Sequence, residues 1–286
     1  MTHMTKVLVA GYGVMTRGIL PHLLKSGEMS VLLHSRHLDA SPHPEVRLVG
    51  EEDISSCRPD VVIGCFEDDT RSREFWTSPG TTAALTGRRA VCVELSTLSP
   101  GWIDAWHRYV GSLGAVSVEC PVTGSRPGAG SGTLSAFLHS SADDPRVDQV
   151  LGSFTSRRYV FRTAGHPTRF KLVYNAWGAA LLHSLTAFVP TLREVLGDDF
   201  DVAGDIITGD GWMSLVCASK LDRMVEERFD DPDFALRHMI KDLGYAQEVL
   251  GPSHELLDLV HRSFAQAASV YGGDADYTAV TGVVRR

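Results

Sequence analysis

The chain has few cysteines, no basic excess and no long apolar run. Its 286 residues hold five cysteines, Cys57, Cys65, Cys92, Cys120 and Cys217, scattered and without a C-x-x-C pair. An odd, dispersed set suits buried reduced thiols in a cytoplasmic protein, not a disulfide framework or a metal site. The 12 histidines show no paired ligand spacing, so no metal is expected. A formal net charge of −8 denies the basic face that phosphate neutralisation needs, so nucleic acid is not an expected partner. No apolar run looks long enough to span a bilayer. The opening Met1-Thr2-His3-Met4-Thr5-Lys6 lacks the apolar centre of a signal peptide. A cytoplasmic protein with no membrane partner is the expectation.

What is present is an ordinary globular composition, 43% hydrophobic and 22% charged, enough for one large domain or two smaller ones. Short apolar runs recur at Lys6–Ala10, Val31–Leu33, Asp60–Cys65, Ala90–Leu95, Ala115–Cys120 and Leu134–Leu138, with Tyr159–Arg162 as one further candidate. Helical spacing lies between several of them, as in Thr16–Lys25 and Gly101–Leu113. Strand and helix in alternation predict an α/β unit with a parallel sheet. Continuous apolar runs predict strands buried on both faces. After Gly165 the texture becomes helical: Lys171–Leu196, kinked or split at Pro190, then Asp201–Thr208, Gly211–Arg228, Asp233–Leu250 and Ser253–Val270. The reading divides the chain into a dinucleotide-binding Rossmann-like domain, 1–164, and an all-α domain, 165–286.

Chemistry concentrates in five places. Gly11-Tyr12-Gly13-Val14-Met15-Thr16 follows the first strand and opens the first helix, where a Rossmann turn sets a pyrophosphate on a helix N-terminus. Gly11, Gly13, Val14 and Met15 are cofactor candidates, though an ordinary βα turn has the same outline. Thr16 stands where a third glycine belongs, and Gly18 is placed to restore close packing. The second strand ends in His34-Ser35-Arg36, with no carboxylate before Asp39. A hydroxyl and a guanidinium suit a 2′-phosphate, which favours NADP over NAD; a solvated basic loop is the plain alternative. Ser96-Thr97-Leu98-Ser99-Pro100 follows another strand. Ser96 and Thr97 are cofactor candidates, and Ser99-Pro100 also reads as a helix cap. The glycine-rich stretch Pro121–Leu134 reads as a loop whose amides and the hydroxyls of Thr123 and Ser125 would hold a carboxylate, unless it is only flexible. Finally, Lys171 and Asn175 are four residues apart on an apolar helical pattern and share a face. A lysine there can act as a proton donor, or can snorkel its ammonium to water.

Taken in order, these motifs resemble the β-hydroxyacid dehydrogenase family, typified by 3-hydroxyisobutyrate dehydrogenase. The resemblance rests on Gly11–Thr16, Ser96–Pro100, Glu119–Leu134, Lys171–Asn175, Lys241-Asp242-Leu243 with Phe234 before it, and Asp276-Tyr277-Thr278-Ala279-Val280. It implies a Rossmann-like domain, an all-α domain that binds substrate and drives oligomerisation, and an active site between them. It further implies Lys171 as acid/base and Asn175 as its positioning partner. Thr123, Gly124 and Ser125 become the substrate-anion segment, Lys241 reaches the cofactor, and Asp242 orients Lys241. Thr16, Thr123 and Ser125 depart from the family pattern and point to a divergent substrate. The expected protein is an NADP-dependent oxidoreductase of a carboxylate-bearing small molecule, a homodimer or homotetramer. Imine reductases and biosynthetic tailoring reductases share the scaffold and form the alternative; imine reductases usually lack the lysine. Trp212, Phe234 and Met239 are expected in the core or at the outer pocket.

Overall fold

The computed structural model describes residues 4–25, 27–210, 214–251 and 254–284. The chain divides into two compact units at Lys171 and Leu172.

Unit 1 is a mixed sheet with helices on both faces. Its strands are β1 (Thr5–Ala10), β2 (Met29–His34), β3 (Arg47–Leu48), β4 (Val61–Gly64), β5 (Val91–Glu94), β6 (Val116–Glu119), β7 (Val122–Thr123), β8 (Leu134–Ser140) and β9 (Thr155–Val160). They lie in the order β3-β2-β1-β4-β5-β6-β8-β7, with β9 beside β8. Alternate residues of β1 feed two different cores, which is why the run is apolar throughout. Val7 and Val9 face Ile19, Leu20 and Leu23 of the first helix, Val14–Lys25. Leu8 faces the opposite layer, which holds Trp76, Trp102 and Trp106.

The sheet, parallel through β6 as expected, turns antiparallel at the next strand. β8 pairs antiparallel with β6, Glu119 opposite His139 and Val118 opposite Ser140. The connection contains β7 and a helix of seven residues, Ser125–Ser131. A helix that short is about 10 Å long, too little to return the chain to the far end of the sheet. β8 therefore starts beyond the carboxyl ends of the parallel strands and runs back to them. The glycine-rich stretch is thus not the open loop expected from sequence. It is ordered by Val122–Ala136 and Thr123–Ser135 pairing and by helical bonds such as Gly128 N–H to the Gly124 carbonyl, 2.9 Å.

The Val14–Lys25 helix packs directly on the Ser125–Ser131 helix at Gly18. A methyl group there would lie 2.7 Å from Ala129 Cβ and 2.8 Å from the Gly130 nitrogen. The ring of His22 continues the contact, with Nε2 3.0 Å from the Gly130 carbonyl.

Unit 2 is helical. Its longest element, His166–Leu196, begins within unit 1 and stays one helix with Pro190 inside it. The run His166–Gly209 is long and apolar enough to cross a membrane by length and composition, contrary to the sequence expectation. Its apolar residues are nevertheless arranged as a stripe. Leu172, Ala176, Ala179, Leu182, Leu185 and Val189 pack into the core with Leu236, Met239 and Leu243 of the helix Leu236–Leu250 and with Val260 and Phe264 of Glu255–Tyr271. The expected helix Gly211–Arg228 is interrupted: Ser214–Cys217 and Leu221–Val225 are separate turns, because Lys220 leaves helical geometry at φ −129°. Asp276, fully buried, accepts hydrogen bonds from the amides of Asp233 (2.9 Å) and Thr278 (3.0 Å) and from the Thr278 hydroxyl (2.6 Å). The closing motif thereby stitches the last turns to the segment before Leu236. Phe234 and Met239 belong to this core; Trp212 lies outside the described residues.

Gly18→Ala should lower stability by about 1–3 kcal/mol, the usual range for overpacking, despite the gain of about 1 kcal/mol that alanine brings to a helix. Denaturant unfolding measures it. An unchanged midpoint would mean that the two helices slide apart without cost.

Candidate cofactor and active site

The turn after β1 has the geometry of a dinucleotide cradle. Gly11 sits at φ +93°, and a Cβ there would fall 2.2 Å from the Cys65 carbonyl oxygen. Only glycine fits both constraints. Gly11, Gly13, His34, Ser35 and Arg36 line one pocket of about 520 Å³, together with residues sequence reasoning missed, among them Arg71 and Glu74. The first helix begins at Val14, which is exposed, while Met15 packs on the core. His34 is fixed by its Nδ1 at 3.0 Å from the Val49 carbonyl and by stacking on Phe75. These features fit a bound NAD(P): a close backbone approach where diphosphate would lie, and a pocket rimmed by guanidinium groups where the adenosine ribose would lie.

Thr16 does not take over the third glycine's packing role, which falls to Gly18. Its hydroxyl is buried against the Cys65 thiol, a weak partner. Burial pushes that thiol up to about 11, although the Thr16 contact opposes the rise.

Ser96 is tied into the protein by its own hydrogen bonds. Its hydroxyl donates to Glu94 and accepts from the Phe66 amide at 2.7 Å, and its amide donates to Glu94 at 3.0 Å. Glu94 also accepts from Ser72 and from Trp76 Nε1, both at 2.7 Å. Burial raises the Glu94 carboxyl above its usual range, and these donors only partly offset it. Ser96 therefore braces the floor of the pocket from within the protein. Ser99 caps the helix Pro100–Ser112 by accepting from the Trp102 amide, the second of the two roles read for that stretch. Thr97 between them is half-buried.

Thr123, Gly124 and Ser125 lie in sequence across the end of β7 and the start of the short helix. Gly124 has φ +128° and Ser125 φ +52°. The serine thus occupies a left-handed conformation that costs a residue with a side chain about 1–2 kcal/mol. The family's glycine at this position would relieve that strain. The first amides of a helix have no partner within it, so the turn offers donors alongside the Thr123 hydroxyl.

Lys171 is buried, 7% exposed. It lies in the second turn of His166–Leu196, and the start of that helix is held by Glu119 at the end of β6. The Glu119 carboxylate accepts from the Gly165 amide at 2.6 Å, the Thr168 amide at 2.7 Å and His107 Nε2 at 3.0 Å. If Nε2 carries the His107 proton, Nδ1 is left to accept from the Ser117 hydroxyl, 2.8 Å away. Arg169 adds a second tie, with Nη1 and Nη2 at 3.1 and 2.7 Å from the two oxygens of Asp104. Burial pushes Glu119 up, but the donors from His107, Thr168 and Gly165 outweigh it, and its carboxyl sits below the usual range.

One helical turn beyond Lys171, in unit 2, Asn175 is oriented by Asp242. The Asn175 Nδ2 donates to Asp242 Oδ2 at 2.6 Å, while Lys241 Nζ lies 2.8 Å from Oδ1 and 5.0 Å from the Tyr245 ring centre. One buried carboxylate holds both side chains. Because Asn175 spends its amide nitrogen on Asp242, its carbonyl oxygen is left as an acceptor for another group.

Two predictions follow from these carboxylates. Glu119 has a folded pKa below its unfolded value, so the stability it supplies is complete above the unfolded pKa and is lost as pH falls through the folded one. Acid titrations should therefore show stability of wild type falling steeply below pH ~4.3, the ordinary glutamate value, and Glu119→Gln should be less stable at neutral pH and flatter in that window. Parallel curves for the two proteins would refute the linkage. For Asp242, Asp242→Asn should cost about 1–3 kcal/mol, and Lys241→Met with Asp242→Asn should cost less than the sum of the single changes. Simple additivity in denaturant unfolding would show that the pair is not coupled.

Comparison with known proteins agrees with this anatomy. The family described as the NAD binding domain of 6-phosphogluconate dehydrogenase matches residues 6–161, and that described as the NAD-binding of NADP-dependent 3-hydroxyisobutyrate dehydrogenase matches residues 165–284. L-threonate dehydrogenase of Cupriavidus necator is 23% identical over 95% of this chain and 93% of its own length. The cytokine-like nuclear factor N-PAC of Danio rerio is 25% identical over 82% of this chain, which spans only about half, 52%, of that protein. Among solved structures, Psf3 in complex with NADP+ and 2-OPP is 22% identical with a TM-score of 0.81, covering 97% of this chain and 99% of its own. The 3-hydroxyisobutyrate dehydrogenase of Mycobacterium tuberculosis is 22% identical with a TM-score of 0.80, covering 99% and 100%. An imine reductase from Pseudomonas sp. shares the fold more loosely, 17% identical with a TM-score of 0.56 over 98% and 99%. With both halves matched in family order, the chain belongs to the β-hydroxyacid dehydrogenase family of NAD(P)-dependent dehydrogenases.

Proposed function

We propose that the chain is an NADP-dependent oxidoreductase that interconverts a β-hydroxyacid-like substrate and its carbonyl form. The observation that carries the reading is the burial of Lys171 on a helix whose start is pinned by Glu119. A buried ammonium on a fixed helix is suited to move a proton at one defined oxygen. When bound, the nicotinamide gives or takes the hydride. Lys171 protonates the carbonyl oxygen in reduction and deprotonates the hydroxyl in oxidation. Asn175, its amide nitrogen taken by Asp242, presents an acceptor that positions Lys171 and the substrate. Thr123, Gly124 and Ser125 hold the substrate carboxylate. Arg36, with Ser35 before it, takes the 2′-phosphate, and Lys241 reaches the cofactor.

In this reading residues 1–164 bind the dinucleotide and residues 165–286 bind substrate and form the contacts of a cytoplasmic homodimer or homotetramer. Exposed apolar side chains such as Phe188, Val195, Val202 and Ile206 support the latter role. An imine reductase or a biosynthetic tailoring reductase is the second reading, because imine reductases share the fold. The retained Lys171 weighs against it.

The test is turnover of a panel of β-hydroxyacids, semialdehydes and cyclic imines, followed by NADPH absorbance. Lys171→Ala should lose about 10²–10⁴-fold in kcat, the usual value of a general acid or base, and still bind NADPH. Lys171→Arg should not restore it, since a guanidinium keeps its proton near neutral pH. Wild-type turnover in Lys171→Ala on the best substrate would end the assignment and favour the imine reading.

A further inference from the structure

The cations of the adenosine pocket already hold an anion. Arg36 Nη1 lies 3.2 Å from Glu74 Oε2, and Arg71 Nη1 lies 2.9 Å from the same oxygen. Arg71 Nε is also 3.7 Å from Glu67 Oε1. Arg36, Arg71, Glu67 and Glu74 all line the pocket that contains Gly11 and Gly13. Two guanidinium groups converging on one oxygen is the arrangement that phosphate oxygens receive. The pocket lining holds these two arginines against three carboxylates, Glu51, Glu67 and Glu74, so its side chains in this state carry no net positive charge for a phosphate.

We propose that Glu74 is an internal stand-in for the cofactor's 2′-phosphate, and that Arg71 and Arg36 together form the phosphate clamp from which it must be displaced. The proposal rests on the NADP reading and assigns two specificity-determining residues beyond it. A phosphate monoester carries about −1.5 to −2 charge and three acceptor oxygens, against one charge and two oxygens for Glu74. It therefore wins the two arginines when it arrives, but by less than it would against an empty clamp. Glu74 stays ionised throughout, because its hydrogen bond to Arg71 holds the carboxyl below its usual range. The carboxylate thus competes with the phosphate at every neutral pH. All four side chains are substantially exposed, between 40% and 52%, so the competition takes place in water and is sensitive to salt.

The experiment measures dissociation constants of the full-length protein for NADPH, NADH, 2′,5′-ADP and 5′-AMP at low and at moderate salt. Glu74→Gln keeps the size of the side chain and removes the charge. It should tighten NADPH and 2′,5′-ADP by about tenfold at low salt and by less as salt screens the clamp. NADH and 5′-AMP should change less than twofold. Glu74→Asp, with a shorter reach, should fall between. Arg71→Ala should weaken the two 2′-phosphate ligands at least as much as Arg36→Ala and leave the other two alone. If wild type prefers NADPH but Glu74→Gln leaves its affinity unchanged or lowers it, the stand-in role is overturned and the NADP reading stands. If wild type prefers NADH and Glu74→Gln weakens NADH, both fall, and Glu74 is the acid that holds a ribose 2′-hydroxyl.

Discussion

The placement of the longest helix depends on one buried carboxylate. Glu119 closes the last parallel strand of the sheet and, without leaving the protein interior, receives the Gly165 and Thr168 amides at the start of the longest helix. A charge with no exposure is tolerated only when its lone pairs are filled. The two amides and His107 fill them. In return the helix start gains an anion where its unpaired amides and positive dipole end favour one. The strand end thereby fixes where Lys171 begins its turn, and the Arg169–Asp104 pair resists rotation about that anchor. The family motif places an acid at this position, and its reach of one extra methylene here is accommodated by His107 against Ser117.

Much of the fold was legible because both faces of the early strands are covered. The run Lys6–Ala10 is apolar without alternation, and the structure shows why: Val7 and Val9 serve one core and Leu8 the other. The glycines of the first turn announce themselves for steric reasons that do not depend on context. The reversal at β8 was not legible, since periodicity reports burial and says nothing of strand direction. The helix Ser125–Ser131 was hidden by its own composition. Three of its seven residues are glycine or proline, which locally signals a loop; its strand pairing and its packing of Ala129 against Gly18 come from the tertiary structure. The break at Lys220 had no marker at all.

The site shows the same division. Candidates marked by backbone geometry or by a motif, Gly11, Gly13 and Lys171, could be picked out one at a time. Residues that act through a distant partner could not. Arg71 and Glu74 lie on the helix Asp69–Trp76, some forty residues after Arg36, with no motif to single them out. Ser96 follows a strand, and the buried Glu94, two residues earlier on that strand, accepts from both its amide and its hydroxyl. Alternation alone gave no warning that a carboxylate in Val91–Glu94 points inward. Asp242 was readable as a partner of Lys241, its neighbour in sequence, but its bond to Asn175 spans 67 residues and belongs to the tertiary structure.

The departures from the family pattern are linked by the same contact that hides the short helix. At Thr16 the missing glycine does not open the first helix from its strand, because Thr16 is fully enclosed beside Cys65. The close approach moves two residues on, to Gly18, and is made to the Ser125–Ser131 helix rather than to the sheet. That helix begins at Ser125 in a left-handed conformation, so its first turn is strained at one end and clamped by Gly18 and His22 at the other. Relaxing Ser125 would shift the turn that carries Gly124 and Thr123, and the clamp opposes such a shift. The Gly11–Gly13 turn and the Thr123–Ser125 turn are therefore not independent modules. A change that reshapes the Thr123–Ser125 turn must either keep Ala129 against Gly18 or move the first helix, and with it the amides that follow Gly11 and Gly13.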